Sequence, residues 1–325
     1  MLKLINALLA IVAGVGGILL LYFLLNLLVE RLPGKWEDRL KPYVFVGPAL
    51  AVVGLFLVYP TVQTVFASFA NRDTTAWVGL ENYLSLLRDE NFYEVLINNL
   101  LWIIVVPAGS VIIGLLVAVL ADRLSARSEK ITKSLIFLPM AISFVGASTI
   151  WRFVYDARPG ENPIGLLNAI WTSLGFENVV WLQLSSFNVN DMLLMVIMVW
   201  LQAGFAMVLL SAAIKNVPED TLEAARIDGA NEVQIFFRVV VPQIWATVLV
   251  VFTTILILVM KVFDIVYVMT NGAFETQVIG NLFYTQLFEF GDAGRSAAIV
   301  VVLMIAVIPV MIYQVRRFRA EEVGR

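Results

Sequence analysis

The chain has no cysteine and no histidine. Lacking cysteine, it has no disulfide framework and no thiolate metal site. Lacking histidine, it loses the commonest metal ligand and the usual general base near neutral pH. Charge is also scarce: 14% of residues are Asp, Glu, Lys or Arg, against about 25% in an ordinary soluble domain. A membrane-embedded enzyme would want a nucleophile–base pair or a metal cluster, and the sequence offers neither. No Gly-x-x-x-x-Gly-Lys-Ser/Thr phosphate loop occurs, since Gly34-Lys35 lacks both the upstream glycine and the following hydroxyl. The chain is therefore not expected to bind ATP in the usual way. Internal repeats and low-complexity segments are missing too.

What it does have is apolar side chains. Of 325 residues, 60% are hydrophobic, and the mean hydropathy is +0.88. A soluble core of this size cannot hide that excess, whereas a bilayer solvates it while helices satisfy their own backbone groups. A transmembrane helix needs about 20 predominantly apolar residues. Runs of that kind lie near 4–29, 43–69, 95–121, 134–155, 191–214, 243–269 and 296–315. The first has Lys3 before an apolar run, like a signal peptide. It is too long for a signal core and ends in Asn26, Glu30 and Arg31 rather than a small-residue cleavage site, so it reads as a retained anchor. The expected fold class is an all-α polytopic membrane protein of about seven transmembrane helices. Residues 1–40 supply an extra span and a basic linker, and 41–325 form a six-span domain.

Basic residues alternate between connections. Segment 30–42 carries Arg31, Lys35, Arg39 and Lys41; segment 122–133 carries Arg123, Arg127, Lys130 and Lys133. Lys215, Arg226 and Arg238 lie in 215–242, and the tail holds Arg316, Arg317, Arg319 and Arg325. The intervening 70–94 and 156–190 segments are poor in net positive charge: Arg158, for example, faces Asp156, Glu161 and Glu177. By the positive-inside rule the amino terminus is outside and the carboxyl terminus cytoplasmic. Pro48, Pro60, Pro107, Pro139 and Pro309 fall in or beside spans, where they can bend helices of a solute path or simply follow the general frequency of membrane prolines. After Asn162-Pro163, the positions Ile164, Leu167, Ile170, Trp171 and Leu174 recur at helical spacing. They predict a short helix on the outer membrane face, either a plain interfacial helix or a docking element for an external partner.

Residues 215–242 are the most informative. Pro218 suits a first helical position, and Glu219 and Asp220 place negative charge in the first turn. Leu222, Glu223, Ala224 and Ala225 favour helix, and Gly229 can end it in a left-handed turn. A second helix is expected through Gln234, Phe236 and Phe237 until Pro242 opens the next span. The pattern Glu223-Ala224-Ala225, three residues, Gly229, nine residues, then Val239-x-Val241-Pro242 resembles the signature loop of binding-protein-dependent ABC importer permeases. That family commonly shows Ile and Leu where Val239 and Val241 stand. The wording Ala225-Arg226-Ile227-Asp228-Gly229-Ala230 looks like its maltose-type, carbohydrate-uptake branch. So do Lys261 to Gly272, Trp200-Leu201-Gln202-Ala203-Gly204 and Ile308-Pro309-Val310-Met311-Ile312-Tyr313, closest to permeases for α-glucosides and glucosylglycerol.

The resemblance implies a permease subunit of an ATP-driven importer for a carbohydrate-like solute. Its loop helix (Glu223, Ala224, Ala225, Asp228, Gly229, with Pro242 closing the motif) would dock on a separate ATPase. It implies two ATP-binding cassette subunits holding ATP and Mg, a second permease subunit, and an extracytoplasmic solute-binding protein. The membrane would be a bacterial-type cytoplasmic one, with lipid around the chain and no nucleic acid as partner. The second permease could be identical or not; the family pattern and the added first span favour a non-identical one. Physically, paired alanines allow close approach, and Glu223 offers an acceptor to a basic group.

Sugar sites combine aromatic faces with a few hydrogen-bonding groups. Trp200, Gln202, Asp264 and Asn271 are the candidates for solute contact, each weighed against a packing role. Lys261 and Asp264, at i and i+3 in the sixth span, are expected to share a face and pair as a structural or gate ion pair. The rival function is an ion-gradient-driven secondary transporter. It would want intramembrane carboxylates or histidine relays in several spans, and Asp264 is the clearest acid within them.

Overall fold

The computed structural model describes residues 2–157 and 165–323. Arg158, Glu161, Asn162, Pro163, Ile164 and Arg325, named above, lie outside them. Among the described residues the regular structure is helical, and backbone pairing between strands is confined to an isolated bridge joining Ala70 and Trp77. The helices run α1 (Leu2–Glu30), α2 (Gly34–Val53), α3 (Tyr59–Ala67), α4 (Glu81–Arg88) and α5 (Glu90–Asp122). Next come α6 (Ala126–Phe137), α7 (Phe144–Tyr155), α8 (Leu166–Ser173), α9 (Val189–Lys215) and α10 (Glu219–Ile227). The last are α11 (Glu232–Ile235), α12 (Val241–Val259), α13 (Asp264–Met269), α14 (Ile279–Tyr284) and α15 (Ala293–Val323). Among the described residues six stretches are long and apolar enough to cross a membrane, and a seventh arises if α6 and α7 cross as one bent span.

The chain divides into two units, residues 1–66 and 67–325. In the first, α1 and α2 pack through Tyr22 and Phe45, whose rings stack 6.1 Å apart while the Tyr22 hydroxyl donates to the Phe45 carbonyl at 3.1 Å. Most of their other apolar side chains, such as Leu19, Phe23 and Leu50, are exposed, as lipid-facing groups are. A π-turn at Gly54–Val58 precedes Pro60, absorbing the hydrogen bond that the proline nitrogen cannot donate.

In the second unit α5 and α9 form the central pair, because small residues let their backbones meet. A Cβ added at Gly114 of α5 would lie 2.6 Å from the Ala206 Cβ and 2.7 Å from the Met207 nitrogen of α9. One added at Gly204 would lie 2.4 Å from the Ile136 carbonyl of α6. Lipid gives no hydrophobic drive to helix association, so such close van der Waals contact supplies it. Trp102, Leu194, Met198 and Leu201, with Ile244, Val251 and Ile255 of α12, fill the core.

Two of the expected spans are broken. The run at 134–155 is not one helix: α6 stops at a 3-10 turn over Leu138–Ala141, and α7 restarts at a direction 105° away. Pro139 cannot donate to the ladder, and the Ser143 hydroxyl caps α7 by accepting from the Gly146 N–H at 3.1 Å. The run at 243–269 likewise ends at Val259, and Phe263 (φ −145°, ψ −60°) separates α12 from α13. Pro107 and Pro309 stay inside unbroken helices. The helix expected after Asn162-Pro163 is present as α8, where Trp171 stacks on Phe176 with centroids 4.2 Å apart.

Near the start of α9 a polar belt replaces the apolar core. The buried Asp191 accepts from the Trp102 Nε1 at 2.9 Å. Asn190 donates to the Phe274 carbonyl at 2.6 Å, and Asn98 donates to the carbonyls of Glu275 and Gln277 at 2.7 and 3.1 Å. Side-chain amides thereby satisfy carbonyls of the irregular backbone after α13.

Overpacking a full core costs about 1–3 kcal/mol, so Gly204→Val is expected to lower the thermal midpoint in detergent. Gly109→Ala, whose Cβ would meet only the Val199 side chain at 3.3 Å, is expected to be tolerated. Trp102→Phe leaves the buried Asp191 carboxylate without its donor, a loss of about 1–3 kcal/mol. Asp191→Asn keeps an acceptor for Trp102, and unfolding measurements are expected to show it as the milder of the two.

Candidate functional site

The signature loop folds as two short helices on the surface of the second unit. Pro218 stands one position ahead of α10 rather than inside it, and Glu219 and Asp220 occupy the first turn. The helix ends at Gly229, φ +83°, with Ala230 N–H bonded to the Ala225 carbonyl at 3.1 Å and Gly229 N–H to the Arg226 carbonyl at 3.0 Å. That pair of bonds is a Schellman closure, which requires the left-handed residue. Asn231 and Gln234 then form a reciprocal capping box. The segment expected to begin a span at Pro242 is instead helical from Glu232 through Val259, with a π-turn at Phe236–Val240 accommodating the proline. The two alanines face different ways. Ala225 and Leu222 pack inward on the core, while Glu223, Ala224, Ile227 and Asp228 are exposed. Ile227 is 86% exposed, an apolar side chain standing clear of the fold.

The loop is mounted on an ion cluster that the sequence reading did not single out. The Lys215 Nζ lies 2.6 Å from Glu129 Oε1 and 3.2 Å from Asp122 Oδ1. Glu129 also binds Lys133, whose Nζ donates to the Ser211 hydroxyl. The Glu129–Lys133 spacing of i,i+4 was a legible signal; the meeting with Lys215 and Asp122 was not, because it joins the ends of three helices.

A cavity of about 450 Å³ opens where the breaks in both spans meet α9. Its walls are Met140, Ile142 and Phe144 from the α6–α7 bend, Gln202 and Phe205 from α9, Thr254 from α12 and Asp264 from α13. Arg152 of α7 donates to the Val268 carbonyl, tying the bend to α13. Gln202 is buried, and neither its amide nor the Asp264 carboxylate has a protein hydrogen-bond partner among the described residues. Two of the candidate contacts are therefore together and unspent. The other two are elsewhere. Trp200 packs edge-on against Trp151, with centroids 5.7 Å apart. Asn271 is exposed in the left-handed turn after α13, at φ +51°. The expected Lys261–Asp264 ion pair does not form, and no ion pair joins them among the described residues. Lys261 lies in the turn after α12 and Asp264 opens α13, so the helical i, i+3 geometry that would align them is missing. Met140, Ile142 and Phe205 were not anticipated as cavity walls, since only the 105° bend turns the first two inward.

The family described as binding-protein-dependent transport system inner membrane component matches residues 110–318. The chain is 48% identical, over 99% of both chains, to the alpha-glucoside transport system permease protein AglF of Rhizobium meliloti. It is 51% identical to the osmoprotective compounds uptake permease protein GgtC of Synechocystis, over 86% of this chain and 99% of that one. A bacterial ABC transporter that imports the acidic polysaccharide alginate shares the fold, with a TM-score of 0.74 at 20% identity over 88% of this chain and 99% of its own. With the signature spacing folded as an exposed helical loop beneath a multi-span bundle, this chain belongs to the binding-protein-dependent transport system inner membrane components, the permease subunits of ABC importers.

Proposed function

We propose that this permease forms the path for an α-glucoside, disaccharide or glucosylglycerol-like solute and is driven by a separate ATPase docked on residues 219–229. The observation that carries the reading is the exposed face of α10 within the complete signature. Glu223, Ala224, Ile227 and Asp228 form an apolar-and-acidic patch that fits a partner groove with basic and apolar walls. In the assembled importer two ATP-binding cassette subunits hold ATP and Mg. A second permease completes the path, and an extracytoplasmic solute-binding protein delivers the solute at the opposite face. The glucoside and osmoprotectant relatives support the solute class. The alternation of basic connections supports an amino terminus outside and a cytoplasmic loop at 215–242 in a bacterial-type cytoplasmic membrane. Residues 1–40 are the added span and linker, and 41–325 the permease domain.

Solute contact falls to Gln202 and Asp264. An amide and a carboxylate, unspent in a wall otherwise made of apolar side chains with Ser143 and Thr254, match a neutral polyhydroxylated ring that offers hydroxyl donors to both and apolar ring faces to Phe205 and Phe144. Trp200 and Asn271 are assigned to packing and to the turn. The ATP-driven reading is favoured over a secondary transporter because the cavity holds one carboxylate and no relay leads from it among its lining residues.

Uptake in cells is expected to collapse on ATP depletion and to survive an uncoupler while ATP is held constant; the reverse pattern would indicate an ion-gradient carrier. The double variant Gln202→Ala/Asp264→Ala is expected to reduce sugar uptake at least about tenfold, the factor that 1.4 kcal/mol represents, with the complex still assembled. Unchanged uptake would remove the cavity as the contact site. A cysteine at Ala224 or Ile227 is expected to crosslink to the ATPase subunit more readily than one at Ala225, which faces the core; absence of any such product would place the docking elsewhere.

A further inference from the structure

Resting on the reading of α10 as the ATPase-docking helix, we propose that Glu129 is a positioning residue that ties the coupling loop to the wall of the solute cavity. The loop leaves α9 directly after Lys215, and the turn at Asn216 and Val217 bonds back to the carbonyls of Ala213 and Ile214 at 3.2 and 3.1 Å. Displacement of α10 therefore reaches Lys215 through three backbone residues. That side chain grips Glu129 at 2.6 Å, and Asp122 at 3.2 Å, so the load passes to the start of α6 and the end of α5. Lys133 and Ser211 close the same cluster. The Glu129 and Lys133 side chains are only 15% and 19% exposed, where salt and water screen an ion pair far less than at an open surface.

α6 then transmits the motion. It runs without a break from Glu129 to Phe137, and the bend beyond it supplies Met140, Ile142 and Ser143 to the cavity. Along this length α6 touches α9 again where the Ile136 backbone sits over Gly204. The seven helical steps from Glu129 to Ile136 make an arm of about 10 Å at 1.5 Å per residue. One end is held by charge and steered by the loop. The other bears on a glycine contact next to Gln202 and Phe205 of the cavity. An ion cluster can exchange partners as α6 and α9 slide, whereas the glycine contact fixes where the arm turns.

Proximity alone does not demonstrate coupling, so the test reads ATP hydrolysed per solute imported. It uses the full complex of permeases, ATPases and binding protein in proteoliposomes. Glu129→Gln leaves both lysines without a carboxylate partner at that site, and Lys215→Met cuts the loop's link while preserving the Glu129–Lys133 pair. Each is expected to raise the ATP-to-solute ratio about threefold or more, with Glu129→Asp returning towards the wild-type ratio. Glu37→Gln, which removes the Glu37–Lys41 pair in the first unit, is expected to leave it unchanged. A wild-type ratio in both Glu129→Gln and Lys215→Met, or hydrolysis and uptake falling in strict proportion, would overturn the proposal and leave a structural cluster. If the unsubstituted complex showed no solute-stimulated hydrolysis, the docking reading itself would fall, and the proposal with it.

Discussion

A bilayer offers no hydrogen bonds to a peptide group, and the rest of this structure follows from how the chain meets that constraint. Long helices meet it by themselves, which is why α1, α5, α9 and α15 carry their prolines, where present, without breaking. Several departures from helix have a local supplier of partners. Ser143 restarts α7, π-turns accommodate Pro60 and Pro242, and Asn98 and Asn190 satisfy the carbonyls after α13. Irregular backbone at membrane depth is tolerated where protein or a cavity lines it, and the Gln202–Asp264 cavity lies where two such breaks adjoin α9.

The same economy of polar groups shapes the site. Most buried amides are occupied with backbone, so the unpartnered Gln202 amide and Asp264 carboxylate stand out within an apolar wall. Glycines bring α6 against α9 and α5 against α9 closely enough to leave little slack between them. Packed interiors of this kind shift between discrete arrangements more readily than they deform. The ion cluster at Glu129 joins the ends of α5, α6 and α9.

Much of this was legible in residue order. The spans, the loop's position between the fifth and sixth of them, and the left-handed close at Gly229 follow from hydrophobic run length, spacing and glycine chemistry. Those are local properties, and local physics governs them. The gaps in the reading were of another kind. Lys261 and Asp264 were aligned on an assumed continuous helix, and the break before Phe263 removed the alignment. Asn271, a candidate for solute contact, lies in an exposed turn away from the cavity walls.

The amino-acid sequence by itself determined that the chain crosses a membrane as helices, that it carries no phosphate-binding loop, and that residues 215–242 form the family's exposed helical loop. Each rests on neighbours within a few turns of one another. Only the tertiary structure decided that Gln202 and Asp264 share a wall, that Ala224 faces outward while Ala225 faces in, and that Lys215 meets Glu129 and Asp122. Those outcomes depend on a 105° bend and on close helix contacts, which bring together residues tens of positions apart and leave no periodic trace along the chain.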